Sequence, residues 1–314
     1  ISYYPMLNVS QRAAEAFMVQ ASDCIERGDY DAGIALCRTA EAIVVASLAT
    51  DHPDLANIYN NLGQAFYYKG DYDLAIEQHR MAEAIQVAEL SADHPHLTKT
   101  YNNLGQAFYC KGDYTTATEY YRQAETISLA KLGADHPDLA KTYSSLGLVF
   151  WSQGDYDSAI EYCSKAETIQ QAKLGSDHPD LANTYNVLGN VFLSKGDYDT
   201  AIEYYRKAEA IRLAKLGANH PNLAITYNNL GLAFKYKGDY DTAIEYYRKA
   251  EAIRLAKLGC DHPDLATTYN NLGSAFYSKG DYDTAIEYHR KAEAIRLAKL
   301  GADHPDLATT YNNL

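Results

Sequence analysis

One spacing governs what this chain can fold into: the triplet Gly-Asp-Tyr returns every 42 residues, at Gly28, Gly70, Gly112, Gly154, Gly196, Gly238 and Gly280. A His-Pro pair keeps step with it from His52 to His304. A chain held to one period builds each unit as a small element whose apolar face is covered only by its neighbours. The stretch from Thr226 to Pro263, TYNNLGLAFKYKGDYDTAIEYYRKAEAIRLAKLGCDHP, shows the unit whole.

We number the repeat so that the glycine of Asn-Asn-Leu-Gly, such as Gly231, is slot 8. Tyr227, Leu230, Gly231 and Phe234 then fill slots 4, 7, 8 and 11, and Ala243, Tyr247 and Ala250 fill slots 20, 24 and 27. Spacings of three, four and seven put each set on one face of a helix, so the repeat is a hairpin of a helix A and a helix B. Small residues at slots 8, 20 and 27 let the two helices approach closely.

The punctuation agrees. Pro221 or Pro263 suits the first turn of helix A, where a missing N–H costs nothing, and Asp264 suits the positive end of its dipole. Lys237-Gly238-Asp239 closes helix A and opens helix B, with Asp239 or Asp241 as the N-cap. Helix B is predicted from Tyr240 to Leu258, ending at Gly259 in a left-handed C′ position.

The order Tyr-x-x-Leu-Gly-x-x-Phe, followed by Ala, Tyr and Ala in helix B, is similar to the tetratricopeptide repeat. The NNLG, KGDY and LGxDHPDLA segments resemble the 42-residue variety of kinesin light chains and nephrocystin-like proteins, in phase over about residues 10 to 314. The resemblance implies an all-α, right-handed superhelical solenoid of antiparallel helix pairs. Relative to the usual repeat of about 34 residues, roughly eight more lengthen helix B and form the Gly-x-Asp-His-Pro loop. It names a scaffold and not an activity.

On this reading residues 1–9 are a lead-in and 10–52 a degenerate N-terminal capping repeat, with Phe17 in slot 4, Ala21 in slot 8 and Met18-Val19 in place of Asn-Asn. Residues 53–304 are six 42-residue repeats, and 305–314 begin a further helix A. Ile1 and Leu314 read as cuts within a longer chain, whose missing parts could hold a targeting signal or an effector domain. A solenoid grows by addition, so 314 residues need no single large core.

A formal charge of −13 argues against nucleic acid and anionic membrane as partners. The five cysteines form no CxxC pair; Cys24, Cys37 and Cys163 fall in core slots, and a reduced, cytoplasmic setting is expected. No apolar run reaches the ~20 residues of a membrane span, and none of the sequence reads as a signal peptide, so none is expected.

Helix A carries a second stripe. Slots 2, 5, 9 and 12 share a face turned from the core at ~100° per residue, and the resemblance implies that this face lines a concave groove. Slot 5 holds Asn60, Asn102, Asn186, Asn228, Asn270 and Asn312, and slot 6 holds Asn61, Asn103, Asn229, Asn271 and Asn313, with Ser144-Ser145 and Val187 as departures. Each amide offers donors and an acceptor, so a ladder of them can hold an extended peptide by its backbone. The alternative is that they satisfy neighbouring helix ends or solvent.

Residues 195–236 and 237–278 differ at seven places, four of them in slots 2, 9, 12 and 13: Ile225/Thr267, Leu232/Ser274, Lys235/Tyr277 and Tyr236/Ser278. Helix B is identical between them, including the exposed Glu245, Arg248 and Lys249. Constant amides with changing neighbours is the pattern of a groove that grips a backbone and reads side chains; drift at solvent-facing slots is the alternative. Tyr67, Tyr68, Tyr109, Trp151, Tyr236 and Tyr277 supply aromatic anchors. Lys99, Lys141 and Lys235 are cations on a face with no Asp or Glu in slots 2, 5, 9, 12 or 13 of repeats two to seven.

Catalytic and metal chemistry find no footing. Seven of the ten histidines belong to the Asp/Asn-His-Pro loops, each offering at most two ligands, and capping is their expected role. No phosphate loop, nucleophile elbow or His-x-x-x-His pair occurs. The sequence therefore reads as a non-enzymatic adaptor without cofactors, binding an extended neutral or acidic segment of a partner protein. The alternatives are a spacer that self-associates through its repeat ends, and a sensor module of a larger protein.

Overall fold

The structure, a computed structural model, describes residues 9–47 and 52–300. The expected lead-in up to residue 8, residues 48–51, His304, Asn312, Asn313 and the further helix at 305–314 lie outside the described residues. The chain divides into an N-terminal body, residues 1–153, and a C-terminal body, residues 154–314. The first holds α1 (Val9–Glu26), α2 (Tyr30–Ser47), α3 (Asp54–Lys69), α4 (Tyr72–Glu89), α5 (His96–Lys111), α6 (Tyr114–Lys131) and α7 (Pro137–Gln153). The second holds α8 (Tyr156–Leu174), α9 (Pro179–Ser194), α10 (Tyr198–Leu216), α11 (Pro221–Lys237), α12 (Tyr240–Leu258), α13 (Pro263–Lys279) and α14 (Tyr282–Leu300). Odd-numbered helices are the A helices and even-numbered ones the B helices, and within each body they pack as an all-α repeat solenoid. None of the described helices is long and apolar enough to cross a membrane.

Each helix end has a local cause. Pro263 occupies the first turn of α13, and the imidazole Nδ1 of His262 accepts the Asp264 N–H at 3.2 Å. The same imidazole cap recurs at His52, His94, His136, His178 and His220, which gives the recurring histidine a structural task. At the other end of α11, Gly238 sits at φ 89°, ψ 3°, its N–H bonded to Lys235 O and that of Asp239 to Phe234 O. Only glycine takes that left-handed turn without strain. Asp239, and not Asp241, caps α12 by accepting the Thr242 N–H at 3.1 Å. Gly259 corrects the expectation of a left-handed cap on helix B: it has φ 89° with ψ 172°, an extended conformation that is again glycine's own.

Asp241 is used elsewhere. Its carboxylate accepts from Lys279 Nζ of the next repeat, and the same pairing joins Lys69 to Asp31, Lys111 to Asp73, Lys195 to Asp157 and Lys237 to Asp199, all at 2.5–3.0 Å. Where the lysine slot holds Gln153, the aspartate slot of the preceding repeat holds Thr115, so the two positions change together. These exposed pairs are weak and screened by salt; they mark the register of one repeat on the next.

The core follows the predicted slots. Leu230, Ala243, Tyr247 and Ala250 are fully buried, with Tyr227 and Phe234 nearly so. Cys37 and Cys163 are buried as expected, whereas Cys24 is only half-buried; none of the five cysteines is in a disulfide. The tightest contact joins slot 8 to slot 24: a Cβ on Gly231 would stand 2.6 Å from Cε1 of Tyr247. Gly231→Ala therefore has to displace a buried ring and is expected to cost about 1–3 kcal/mol. Urea unfolding followed by circular dichroism measures this, and a midpoint equal to wild type contradicts the packing.

Candidate functional site

Helical spacing placed slots 2, 5, 9 and 12 on one open face, and the structure divides that stripe. Slot 2 is exposed at Lys99, Lys141 and Asn183. Slot 5 is not: Asn60, Asn186 and Asn228 are 5–7 % exposed. The reason is the next repeat, whose helix A closes over slot 5 from the side. Asn60 Nδ2 donates to Thr100 Oγ1 at 2.9 Å, and Asn228 Nδ2 donates to Ala224 O and to Thr268 Oγ1. Asn186 Nδ2 turns back to Ala182 O. The amide nitrogens of these three thus tie one repeat to the next or to its own helix, while Asn186 Oδ1 and Asn228 Oδ1 are buried without a partner. Asn102 and Asn270 remain half-buried, Asn102 accepting from Thr142 Oγ1 at 3.1 Å.

The partners of slot 5 expose a position that spacing assigned to the core. Slot 31 continues the stripe of slots 20, 24 and 27, yet it holds Gln86, Ser128, Gln170, Arg212 and Arg254, all buried. Each stands one repeat before a buried threonine in slot 3, and Gln86, Gln170, Arg212 and Arg254 bond directly to it. In the first repeat the pair is apolar, Val44 with Ile58, inside one hydrophobic cluster. The signal available in the sequence was polarity at a core slot.

In the N-terminal body these bonds form a chain. His79 Nδ1 lies 2.9 Å from Asn60 Oδ1, Asn60 donates to Thr100, and Thr100 Oγ1 donates to Gln86 Oε1 at 2.7 Å. Because the Asn60 amide donates onward, its oxygen receives the Nδ1–H of a neutral His79. Burial first, and the charge of Lys99 second, push the His79 pKa down to about 4.

Above this chain lies a polar cleft of about 570 Å³ along three successive A helices. Asn57 and Asn60 come from α3, Lys99, Asn102, Asn103 and Gln106 from α5, and Lys141 and Ser145 from α7, with Gln86 and Tyr121 at the floor. It gathers Asn60, Asn102, Asn103, Lys99 and Lys141 of the predicted residues. Asp138, outside the slots counted from the sequence, adds one carboxylate to its wall. Asn103 Nδ2 is a buried donor with no acceptor, as is the Thr98 hydroxyl, and an unpaired buried donor carries a desolvation cost that an incoming carbonyl would relieve. Asn61 is instead held to Ser22 at 3.2 Å.

The aromatic residues divide as well. Tyr67 and Tyr109 are half-buried and reach the next A helix, Tyr67 OH at 3.4 Å from Cys110 Sγ and Tyr109 OH at 3.0 Å from Ser152 Oγ. Trp151 is also half-buried. Tyr68 and Tyr236 are exposed and stack on Tyr30 and Tyr198 at 5.6 and 5.8 Å, and Tyr277 is exposed beside Tyr282. In the C-terminal body Asn229 meets Asn190 at 3.4 Å, Asn271 is half-buried, and Lys235 is half-buried with its pKa lowered by desolvation. Among the described residues, no group of three or more His, Cys, Asp or Glu side chains is placed to hold a metal ion.

Comparison with known proteins follows from this geometry. The tetratricopeptide repeat family model matches residues 12–86, 97–172, 138–214, 196–256, 236–298 and 264–314. No curated protein matches the chain. Among solved structures it is similar to BtubC (BKLC) from P. vanneervenii, at 26 % identity over 75 % of this chain and 92 % of that one, with a TM-score of 0.59. It is also similar to a putative kinesin light chain with nearly identical TPR-like repeats from Podosopora anserina, at 22 % identity over 67 % and 99 % of the two chains, TM-score 0.55. Aspartyl phosphate phosphatase F from Bacillus subtilis shares the fold at 18 % identity over 93 % and 72 %, TM-score 0.69.

The buried imidazole sets a pH dependence. The His79 pKa is lower in the folded chain, about 4, than its unfolded value of 6.5, so the unfolded state binds the extra proton between those values. Its contribution to stability is whole above pH 6.5 and is lost as pH falls toward 4, at up to about 1.4 kcal/mol per pH unit. His79→Tyr installs the ring found at Tyr121 and Tyr205 in the same slot and should flatten the stability profile between pH 6.5 and 4.5. Equal slopes for variant and wild type in denaturant titrations contradict this.

Proposed function

The chain belongs to the tetratricopeptide repeat family, and on that footing we propose that its N-terminal body receives an extended segment of a partner protein in the cleft along α3, α5 and α7. Repeats of this fold serve in general as protein-interaction scaffolds, and on this reading the cleft is where that role is exercised. The observation that carries the reading is the pairing of an unsatisfied Asn103 amide donor with the exposed ammonium groups of Lys99 and Lys141 in one polar cleft. An extended backbone presents a carbonyl every second residue on one side, which suits a buried amide donor. Two cations against one carboxylate, Asp138, favour a neutral or acidic segment over a basic one.

The amides take different parts in this reading. Asn103 meets the ligand, whereas Asn60 holds α5 in place beneath it. Dodecapeptides selected from a random display library against the whole chain provide the probe. Asn103→Leu together with Lys99→Gln should weaken the selected peptides about tenfold or more, on the scale of one charge-assisted hydrogen bond, and leave the melting curve unchanged. Asn60→Ala should do the reverse, lowering thermal stability by leaving Thr100 and His79 short of a partner. Selected peptides that bind the Asn103→Leu, Lys99→Gln chain as tightly as wild type remove the proposal.

A further inference from the structure

The B helices of the C-terminal body carry an outward stripe that the peptide-binding reading leaves unused. On α10, Glu203, Arg206, Lys207, Ala210, Leu213 and Ala214 share one helical face, and all six are exposed. The first half of the stripe is charged, with Lys207 paired to Glu203 at 3.0 Å. The second half is apolar. Its triplet recurs on α12 as Ala252, Leu255 and Ala256 and on α14 as Ala294, Leu297 and Ala298, and the three leucines are 39–41 % exposed. One exposed leucine needs no explanation, but three in register on consecutive repeats ask for one.

Beside each crest lies a groove. One of about 520 Å³ opens along α10 toward the end of α11, lined by the apolar Ile202, Ala210 and Phe234, with Glu203, Arg206 and Lys207 at its rim. The Arg206 guanidinium lies over the Phe234 ring at 5.8 Å. Its counterpart along α12, of about 500 Å³, repeats the arrangement with Ile244, Ala252 and Phe276 below Glu245, Arg248 and Lys249. Crest and groove therefore alternate with the period of the repeat itself. Their charges are settled within the chain: Asp199 accepts from Lys237, Glu203 from Lys207, and Arg206 acts on the half-buried Glu209. In a chain of formal charge −13 this face is balanced, so two copies of it do not repel each other.

The stripe is also constant where packing does not demand it. α10, α12 and α14 carry the same residue at every position but one, the buried ring of Tyr205, Tyr247 or His289. Across the same repeats the A-helix face changes, with Ile225 against Thr267, Leu232 against Ser274 and Lys235 against Tyr277. Substitutions have thus accumulated between these repeats, and none has settled on the exposed side of helix B. α8, in the same body, shows that the fold tolerates a different surface there: Ser164, Thr168 and Gln171 stand in the slots of Arg206, Ala210 and Leu213.

We propose that this B-helix face is a homotypic interface, in which the alanine–leucine crests of α10, α12 and α14 enter the grooves of a second copy of the chain. A fitting partner must offer ridges at the spacing of the grooves, and the surface that has this spacing by construction is the face itself. In a two-fold pairing each crest residue meets a groove residue and the reverse holds across the axis, so one register satisfies every repeat at once. The three stripes together offer roughly twenty residues, the number that each side of a standard interface uses. Apolar crests beside a charged rim also reproduce the core and rim of such an interface. The peptide-binding reading concerns the A-helix face, so neither proposal rests on the other.

Sedimentation equilibrium of the whole chain reads the association. Wild type should be a dimer at about 100 μM, because interfaces of this size bind with micromolar Kd or tighter, and a monomer at that concentration overturns the proposal. Leu213→Gln/Leu255→Gln installs the residue that α8 carries as Gln171, so the fold has precedent for it. This variant should raise the dimer Kd about a hundredfold, since two-fold symmetry counts each lost leucine twice. Leu213→Glu/Leu255→Glu should leave a monomer under the same conditions, with circular dichroism and melting as in wild type. Val19→Glu puts the same charge on an exposed apolar residue of α1, outside the face, and should leave the dimer intact. A dimer that survives both leucine variants, or one that Val19→Glu dissolves in their place, runs through another surface and overturns the proposal.

Discussion

A glycine pressed against a ring holds the two helices of a repeat together. Cβ atoms built at Gly63, Gly105, Gly189, Gly231 and Gly273 would stand 2.4–2.8 Å from the slot 24 rings of His79, Tyr121, Tyr205, Tyr247 and His289. No side chain on helix A leaves helix B that close, and a larger separation would open a void along the whole hairpin. The ring is long, so its polar tip passes under helix A and emerges beneath the A-helix face. Tyr205 OH reaches Asn190 at 2.7 Å, and His79 reaches Asn60 at 2.9 Å. Packing in the core therefore decides which amides of that face are already bonded.

This coupling explains an orphan. Tyr247 OH is buried without a partner, although Tyr205 in the preceding repeat is satisfied. The two repeats differ at slot 9, where Asn190 becomes Leu232. A substitution on the cleft side thus leaves a hydroxyl unpaired in the core, at a cost typical of an unsatisfied buried group, about 1–3 kcal/mol. Side chains on the A-helix face are thus constrained from below by the ring they cover.

Much of the fold was legible in the sequence because its signals are local. The helix spans, the proline at the start of helix A and the Asp239 cap all depend on residues within one turn of each other. The burial of Asn60, Asn186 and Asn228 in slot 5 was not legible, for a physical reason. A helical wheel divides one isolated helix into a core face and a solvent face, but in an array each A helix has a second neighbour, the A helix of the next repeat. Asn60 lies on that third side, 40 residues in sequence from the Thr100 that covers it. Slot 31 was hidden by the opposite effect, since its spacing said core and only the polarity of Gln86 or Arg212 said otherwise.

The comparison of adjacent repeats gains a sharper meaning once contacts replace slots. Between residues 195–236 and 237–278, Asn222 becomes Asp264 while the arginine above each is unchanged. The arginine bonds to the backbone carbonyl in both cases, at 2.8 Å, so the side chain was free to change without disturbing it. Ile225 and Thr267, Leu232 and Ser274, Lys235 and Tyr277 are likewise released from the repeat-to-repeat bonds that hold slots 3, 5 and 31. Between these two repeats slots 3, 5 and 31 are constant, and elsewhere a change at a paired position is matched by its partner at Gln153 with Thr115 and at Val44 with Ile58. The changes between these two repeats fall outside those bonds, and on the proposed reading they are the side chains that would meet another polypeptide.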